Sequence, residues 1–369
     1  MPQPSVPPAA ASLLPRSLPV QLVNASGAPA PDDDYAAPDD ATLTRAFAGL
    51  IEGRRINDQC NALVRQGRLA VYPSSNGQEA CQIAAAMVLG ESDWMFPTYR
   101  DSVAVIARGV APEDAMVLLR GDWHSGYDPG QFRVAPQATP LATQLLHAVG
   151  FAHAAKLRGE DTVVLAMCGD GATSEGDFHE AMNFAAVFGL AVVFFVQNNE
   201  FAISVPLSRQ TAAPSLAHKA IGYGMPGQRV DGNDVAALLA VLGEAVARAR
   251  DGAGPSLIEA HTYRMLAHTN ADDDTRYRDH EAVQAWIERD PVTRLRTLLR
   301  DRGALTDELE AGFAERAEEI AAGLRAAMHA EPAVDPEELF THVFAERPAA
   351  LDAQWHFLQD EIARTEAAS

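Results

Sequence analysis

Two short apolar runs, Thr162–Met167 and Leu190–Val196, each lead into a polar cluster: Gly169-Asp170-Gly171 after the first, Asn198-Asn199 after the second. Runs of this length without polar alternation predict strands covered on both faces, as in a parallel sheet. Between them Phe178, Met182, Ala185 and Phe188 recur at helical spacing, and Ser174 with Asp177 predicts the helix start. A strand–helix–strand crossover delivers both strand ends to one edge of the sheet, where open α/β sheets bind ligands. Asp170 and Asn199 are therefore expected to meet, although a whole helix separates them in sequence.

That meeting has a chemistry. A carboxylate, an amide oxygen and one or two carbonyls make a hard oxygen site suited to magnesium. Gly169 and Gly171 let the backbone approach a phosphate, and the helix that follows offers its positive N-terminus. Either cluster alone reads as an ordinary turn. The ordered pair, with a strand before each half, reads as magnesium holding a diphosphate.

On these residues the stretch resembles the thiamine diphosphate motif, a Gly-Asp-Gly followed at a distance by Asn-Asn. From about Ala41 into the last hundred residues the chain is similar to the alpha subunit of the decarboxylating component of 2-oxo acid dehydrogenase complexes. It leans to the branched-chain enzymes, with the pyruvate enzymes next. The resemblance implies an α/β thiamine diphosphate-binding fold, a mostly parallel sheet flanked by helices with a helical C-terminal region. It implies magnesium on Asp170, Asn199 and the main-chain oxygen of Phe201, and cofactor contacts from Gly169, Gly171 and Ala172.

Three further segments carry the resemblance. Trp94–Arg100 ends in Tyr99-Arg100, and an arginine closing a short extended segment can give phosphate a bidentate contact. Without the resemblance, pairing with the acidic surface serves as well; with it, Tyr99 and Arg100 inherit a diphosphate contact. Ala138–Gln144 opens a helix expected to run to about Arg158. In the family this turn cradles the aminopyrimidine, which maps onto Leu141 and Thr139. Some members bind potassium here, and one hydroxyl-bearing position of that pattern is Ala138 in this chain. The third segment, Met265–Arg278, is a polar loop after the apolar strand Pro255–Arg264, and a histidine at a strand end can move protons near neutral pH. The resemblance makes His268 the catalytic histidine beside the cofactor. Leu266-Ala267 stands where a Gly-His or Gly-Pro commonly precedes it, and Thr269 where animal relatives carry a regulatory phosphoserine; a solvated loop is the preferred reading of Asp272–Asp274. The family's second basic diphosphate contact is Gln197 here.

Elsewhere the readings are plainer. The 369 residues are 47% hydrophobic, enough for one large core, and the formal net charge of −21 argues against nucleic acid and anionic membrane as partners. Cys60, Cys81 and Cys168 are scattered, as expected of buried thiols in a reducing cytoplasm, here a bacterial one. No apolar run reaches membrane-spanning length. Residues 1–40, rich in proline and alanine, read as a disordered or loosely docked arm, 41–330 as the cofactor-binding domain and 331–369 as a helical tail. Gly77-Gln78-Glu79-Ala80 reads as a helix start, Val230–Asp234 as a turn feeding a helix over Val235–Arg250, and His124 as an ordinary loop histidine.

Thiamine diphosphate needs an anchor and a carboxylate that activates its aminopyrimidine. This chain offers the first and no evident second. The resemblance implies a beta subunit that presents it, in an α2β2 heterotetramer, and acyl transfer to a lipoyl-bearing acyltransferase. The expected activity is oxidative decarboxylation of a branched-chain 2-oxo acid, with pyruvate second and acetoin third. No Gly-x-Gly-x-x-Gly unit supports a nucleotide-dependent oxidoreductase. A non-catalytic scaffold subunit would have lost Asp170, Asn199 or His268, and all three are present.

Overall fold

The computed structural model describes residues 13–122, 126–330, 335–341 and 343–368. The chain begins with helices α1 (Asp40–Arg65) and α2 (Glu79–Met87) and strand β1 (Trp94–Phe96). Helices α3 (Ser102–Ala107), α4 (Pro112–Arg120), α5 (Pro129–Phe132) and α6 (Thr143–Arg158) separate β1 from β2 (Val164–Gly169). Helix α7 (Gly176–Phe188) crosses to β3 (Val192–Asn198), and a short antiparallel pair follows, β4 (Phe201–Ala202) with β5 (Val205–Pro206). Then come β6 (Gly227–Asp231), α8 (Val235–Arg250) and β7 (Ser256–His261), followed by α9 (His280–Ile287), α10 (Pro291–Asp301) and α11 (Asp307–His329).

The main sheet has the order β1-β2-β3-β7-β6 and is parallel throughout. Its strands are covered on both sides because alternate residues feed different cores. Leu165, Met167, Val193, Phe195 and Ile258 join the side chains of α1, α2 and α8. Val164, Ala166, Cys168, Phe194 and Val196 join those of α6 and α7. One consequence fixes the site: the C-terminal ends of β1, β2, β3 and β7 lie side by side.

Both central strands sit two residues later than their apolar runs predict. Gly169 still pairs with Gln197, and Asn198 with His261. Polar side chains extend the ladder here because each finds a buried partner. Helix α7 also departs from expectation: its N-cap is Glu175, which makes no side-chain capping bond, so Ser174 and Asp177 do not form the predicted start. Phe178, Met182 and Ala185 are buried as their spacing predicts, whereas Phe188 is exposed.

The arm differs most. Residues 1–12 lie outside the described residues, as does His124. From residue 13 onward the segment is docked, neither disordered nor loose. Val20 pairs in parallel with Val230 on the outer edge of β6, donating to the Arg229 carbonyl at 2.9 Å and accepting from Asp231 N–H at 3.0 Å. Val20, Leu22 and Val23 are buried in the main core. Asp234 Oδ2 accepts the N–H groups of both Leu22 and Val23 at 2.7 Å. An open strand edge and a buried carboxylate supply what the arm's proline-rich composition does not advertise.

The chain divides after Met328 into two compact units. In the second, His329–Ser369, helices α12 (Glu338–Thr341) and α13 (Ala349–Ala368) are brought together in part by the rings of Phe340 and Trp355, 5.6 Å apart. Among the described residues, no helix is long and apolar enough to cross a membrane.

Asp234 also caps α8 through Oδ1, to Ala236 and Ala237 N–H. The Asp234→Ala variant loses a cap worth about 1 kcal/mol and strands two arm N–H groups at about 1–3 kcal/mol each. Denaturant unfolding is expected to show a loss of about 3 kcal/mol or more, and a loss below about 1 kcal/mol would contradict the docking described.

Candidate functional site

The four strand ends surround a cavity of about 220 Å³. Tyr99 and Arg100 follow β1; Gly169, Asp170, Gly171 and Ala172 end β2; Asn199 and Phe201 follow β3; His268 comes from the loop beyond β7, and Leu141 from the turn before α6. Every residue assigned a cofactor, metal or catalytic role by motif, except Thr139, thus lines one space. Ala138 lines it too; Thr139 does not. Thr269 lies in a separate depression with Asp58, Arg65 and Tyr72.

Asn199 is oriented by a buried relay that the motifs do not reveal. Asp101 accepts Thr98 N–H at 2.7 Å, the Thr98 hydroxyl at 2.8 Å and Gln197 Nε2–H at 2.7 Å. Gln197 Oε1 therefore faces Gln78 Nε2, which donates at 3.0 Å, and Gln78 Oε1 accepts from Asn199 Nδ2 at 2.9 Å. A carboxylate only accepts, so it sets the sense of each amide along the line. The last amide presents Asn199 Oδ1, which accepts Phe201 N–H at 3.3 Å and keeps a lone pair for a cation. Gln197, where the family pattern has a base, acts here as a link in this relay. Burial raises the pKa of Asp101, and its three donors act in the opposite direction.

Asp170 lines the same space and is almost fully buried. Burial raises its pKa; the bond from Gln210 Nε2 to Oδ2, at 2.6 Å, opposes that. A buried carboxylate with so little compensating charge nearby is suited to a cation. Its turn is braced from behind: the Thr173 hydroxyl donates to the Asp170 carbonyl at 2.8 Å, and Lys219 Nζ donates to the Thr173 carbonyl at 2.7 Å. Gly171 packs on Ala202, where a Cβ would stand 2.7 Å from the Ala202 Cβ; at Gly169 a Cβ would meet nothing within 4 Å.

Backbone strain gathers at this site. Of the four non-glycine residues with positive φ among the described residues, Ala142 (63°) adjoins Leu141, and Glu200 (70°) and Ile203 (56°) flank Phe201. Such conformations cost about 1–3 kcal/mol each unless surroundings impose them. Glu200 is held by His261 Nε2, 2.7 Å from its Oε1.

The cationic wall is built from Arg100 and the His268 loop. Arg100 Nη1 donates to the Ser74 carbonyl at 2.9 Å; Nη2 lies 3.1 Å from both the His268 carbonyl oxygen and Nδ1. Arg264, buried completely, brings Nη1 to 3.4 Å from the same Nδ1 and donates Nη2 to Tyr277 Oη at 2.8 Å. Asp272 accepts His268 N–H at 2.8 Å and the Tyr277 hydroxyl. Burial, then Arg100, then Arg264 push the His268 pKa from 6.5 down to about 4, with Asp272 opposing. The imidazole is therefore neutral near pH 7. With guanidinium donors at Nδ1, its proton belongs on Nε2. The ring is a neutral donor held in one orientation.

Sequence reasoning passed over Gln78, Gln210 and Arg264. Gln78 opens a helix that is otherwise small and apolar over Ala80–Met87 apart from Gln82, and that contrast was the one legible signal. Nothing in the local sequence marks Gln210 or Arg264 as site residues; Gln210 reaches Asp170, forty residues away, only in the fold.

Two expected outcomes follow from this geometry. Gly171→Ala should lower both melting temperature and affinity for a diphosphate ligand, because the turn must move off Ala202, whereas Gly169→Ala should leave the melting temperature nearly unchanged. Carbethoxylation resolved residue by residue by mass spectrometry should find His268 still reactive at pH 5, where histidines of ordinary pKa are protonated. Between about pH 6.5 and 4 the unfolded chain binds the extra proton at this site and the folded one does not, so His268 contributes stability that is lost as pH falls through that window.

The family model described as the dehydrogenase E1 component matches residues 50–335. The 3-methyl-2-oxobutanoate dehydrogenase subunit alpha of Mycobacterium tuberculosis is 50% identical over 349 residues, covering 94% of this chain and 95% of the relative. The 2-oxoisovalerate dehydrogenase subunit alpha of Bacillus subtilis is 37% identical over 81% of this chain and 94% of its own length. The pyruvate dehydrogenase E1 component subunit alpha of Staphylococcus aureus is 38% identical over 85% of each. With its family region spanning the strand ends that build the cavity, this chain belongs to the dehydrogenase E1 component family.

Proposed function

We propose that this chain is the alpha subunit of a thiamine diphosphate-dependent branched-chain 2-oxo acid dehydrogenase, which decarboxylates the oxo acid and passes the acyl group to a lipoyl group on an acyltransferase partner. The observation that carries the reading is the convergence of Arg100, Asp170, Asn199 and His268 on one cavity from four separate strand ends. The lining fits the cofactor by its donor set. Asp170, Asn199 Oδ1 and the Phe201 carbonyl offer magnesium hard oxygen ligands, and among the described residues no cluster of three or more His, Cys, Asp or Glu competes for another metal. Arg100 and the Gly171 and Ala172 N–H groups suit a diphosphate, and Leu141 and Ile203 give an apolar wall for a ring.

Thiamine diphosphate supplies the carbanion sink for loss of carbon dioxide. The chain's own residues do the rest of the local work. Arg100 holds the diphosphate end and adds to the burial that keeps His268 neutral. His268 offers a hydrogen bond from Nε2 to an oxygen that gains charge beside it. The carboxylates of the lining are Asp170, committed to the cation, and Glu175, exposed at the start of α7. The activating carboxylate is therefore assigned to a beta subunit, in an α2β2 assembly with the cofactor at the interface. Potassium at the Ala138–Gln144 turn would find one hydroxyl fewer than the family pattern provides, because position 138 carries a methyl.

Relatives at 50% and 37% identity bear branched-chain names, which places 2-oxoisovalerate ahead of pyruvate as substrate. The pyruvate-named relative at 38% keeps pyruvate as second reading, with acetoin third. Turnover with an artificial electron acceptor tests both, using this chain, its beta subunit, magnesium and thiamine diphosphate. Activity should require both chains, fall to background in Asp170→Ala and favour 2-oxoisovalerate. A strong preference for pyruvate would overturn the substrate, and activity of the isolated chain would overturn the subunit assignment.

A further inference from the structure

Gln210 ends the short helical turn Leu207–Arg209, beyond β5, and its amide sits between two oxygens. Nε2 donates to Asp170 Oδ2 at 2.6 Å and to the Val205 carbonyl at 3.0 Å. Oε1 is buried and has no partner, and it is the only buried side-chain carbonyl oxygen in that condition among the described residues. Turning the amide over does not relieve it, since that would press Oε1 against the Asp170 carboxylate and strip Oδ2 of its donor. A buried acceptor left empty costs about 1–3 kcal/mol, and a residue that gained nothing from this arrangement would be better replaced by an apolar side chain. The missing partner must be a donor that arrives next to an anionic oxygen. Water on a divalent cation fits: the cation is drawn to Asp170, and its coordinated waters are strong donors with few protein acceptors to meet.

We propose that Gln210 is the positioning residue of the cation site, holding Asp170 Oδ2 through Nε2–H and accepting through Oε1 a hydrogen bond from a water carried by the bound divalent cation. This rests on the reading of Asp170 and Asn199 as cation ligands. Gln210 acts on the carboxylate and not on the fold of the turn, because the main chain there is held separately by the Thr173 hydroxyl and Lys219. Partners of this kind behind metal ligands typically change affinity by about 10–100-fold when removed.

The test is binding of Mn2+, read from the electron paramagnetic resonance signal of the free ion. It uses the full chain assembled with its beta subunit and thiamine diphosphate. Gln210→Leu and Gln210→Met keep the bulk and remove donor and acceptor together. Both are expected to keep the metal-free fold and to bind Mn2+ about 10-fold or more weakly, with thiamine diphosphate affinity restored at saturating Mn2+. A purely structural role would instead shift the metal-free melting temperature and leave Mn2+ affinity unchanged. Unchanged Mn2+ affinity in either variant, or loss of the metal-free fold in both, overturns the proposal. Asp170→Asn separates the two levels. If it too binds Mn2+ normally, the cation site itself is misassigned; if it alone loses Mn2+, only the role of Gln210 falls.

Discussion

A single buried carboxylate, that of Asp101, determines how the cavity presents its oxygens. Amide side chains are ambiguous by nature, and a row of three could settle in either sense. Anchored on an acceptor-only group, Gln197, Gln78 and Asn199 have one consistent direction, and the free oxygen emerges at Asn199. Asp101 in turn depends on Thr98, which closes the β1 loop and thereby places Tyr99 and Arg100. Half of the cavity wall is thus a consequence of one satisfied anion in the protein interior.

The other half is electrostatic in a different way. Burial first, and then Arg100 and Arg264, which both face His268 Nδ1, disfavour a charge on its imidazole. What they obtain is a histidine that donates from Nε2 without carrying charge. Asp272, Tyr277 and the Ile203 carbonyl keep Arg264 paired although it is wholly buried. Strained backbone at Glu200 and Ile203 brackets Phe201, which lines the same cavity.

Much of this was legible in advance. Unbroken apolar runs announced buried parallel strands, and helical spacing between them announced the crossover, so the meeting of Asp170 and Asn199 followed from chain topology alone. The helix over Val235–Arg250 was readable from its pattern and from Asp234 before it. The arm was not. Its proline-rich composition describes a segment with little structure of its own, and its order from residue 13 onward comes from a strand edge and a carboxylate far away in sequence. Gln210 and Arg264 were invisible for the same reason.

What the sequence alone determined is therefore periodic and local: which segments are strands and helices, which strand ends carry Asp170, Asn199, the glycines and a histidine, and which family those motifs belong to. The tertiary structure alone decided the sense of each buried amide, the neutrality of His268, the packing of Gly171 on Ala202 and the docking of the arm. Periodicity records burial one segment at a time. Hydrogen-bond direction and pKa depend on the field of several segments at once, and that field exists only when the chain is folded.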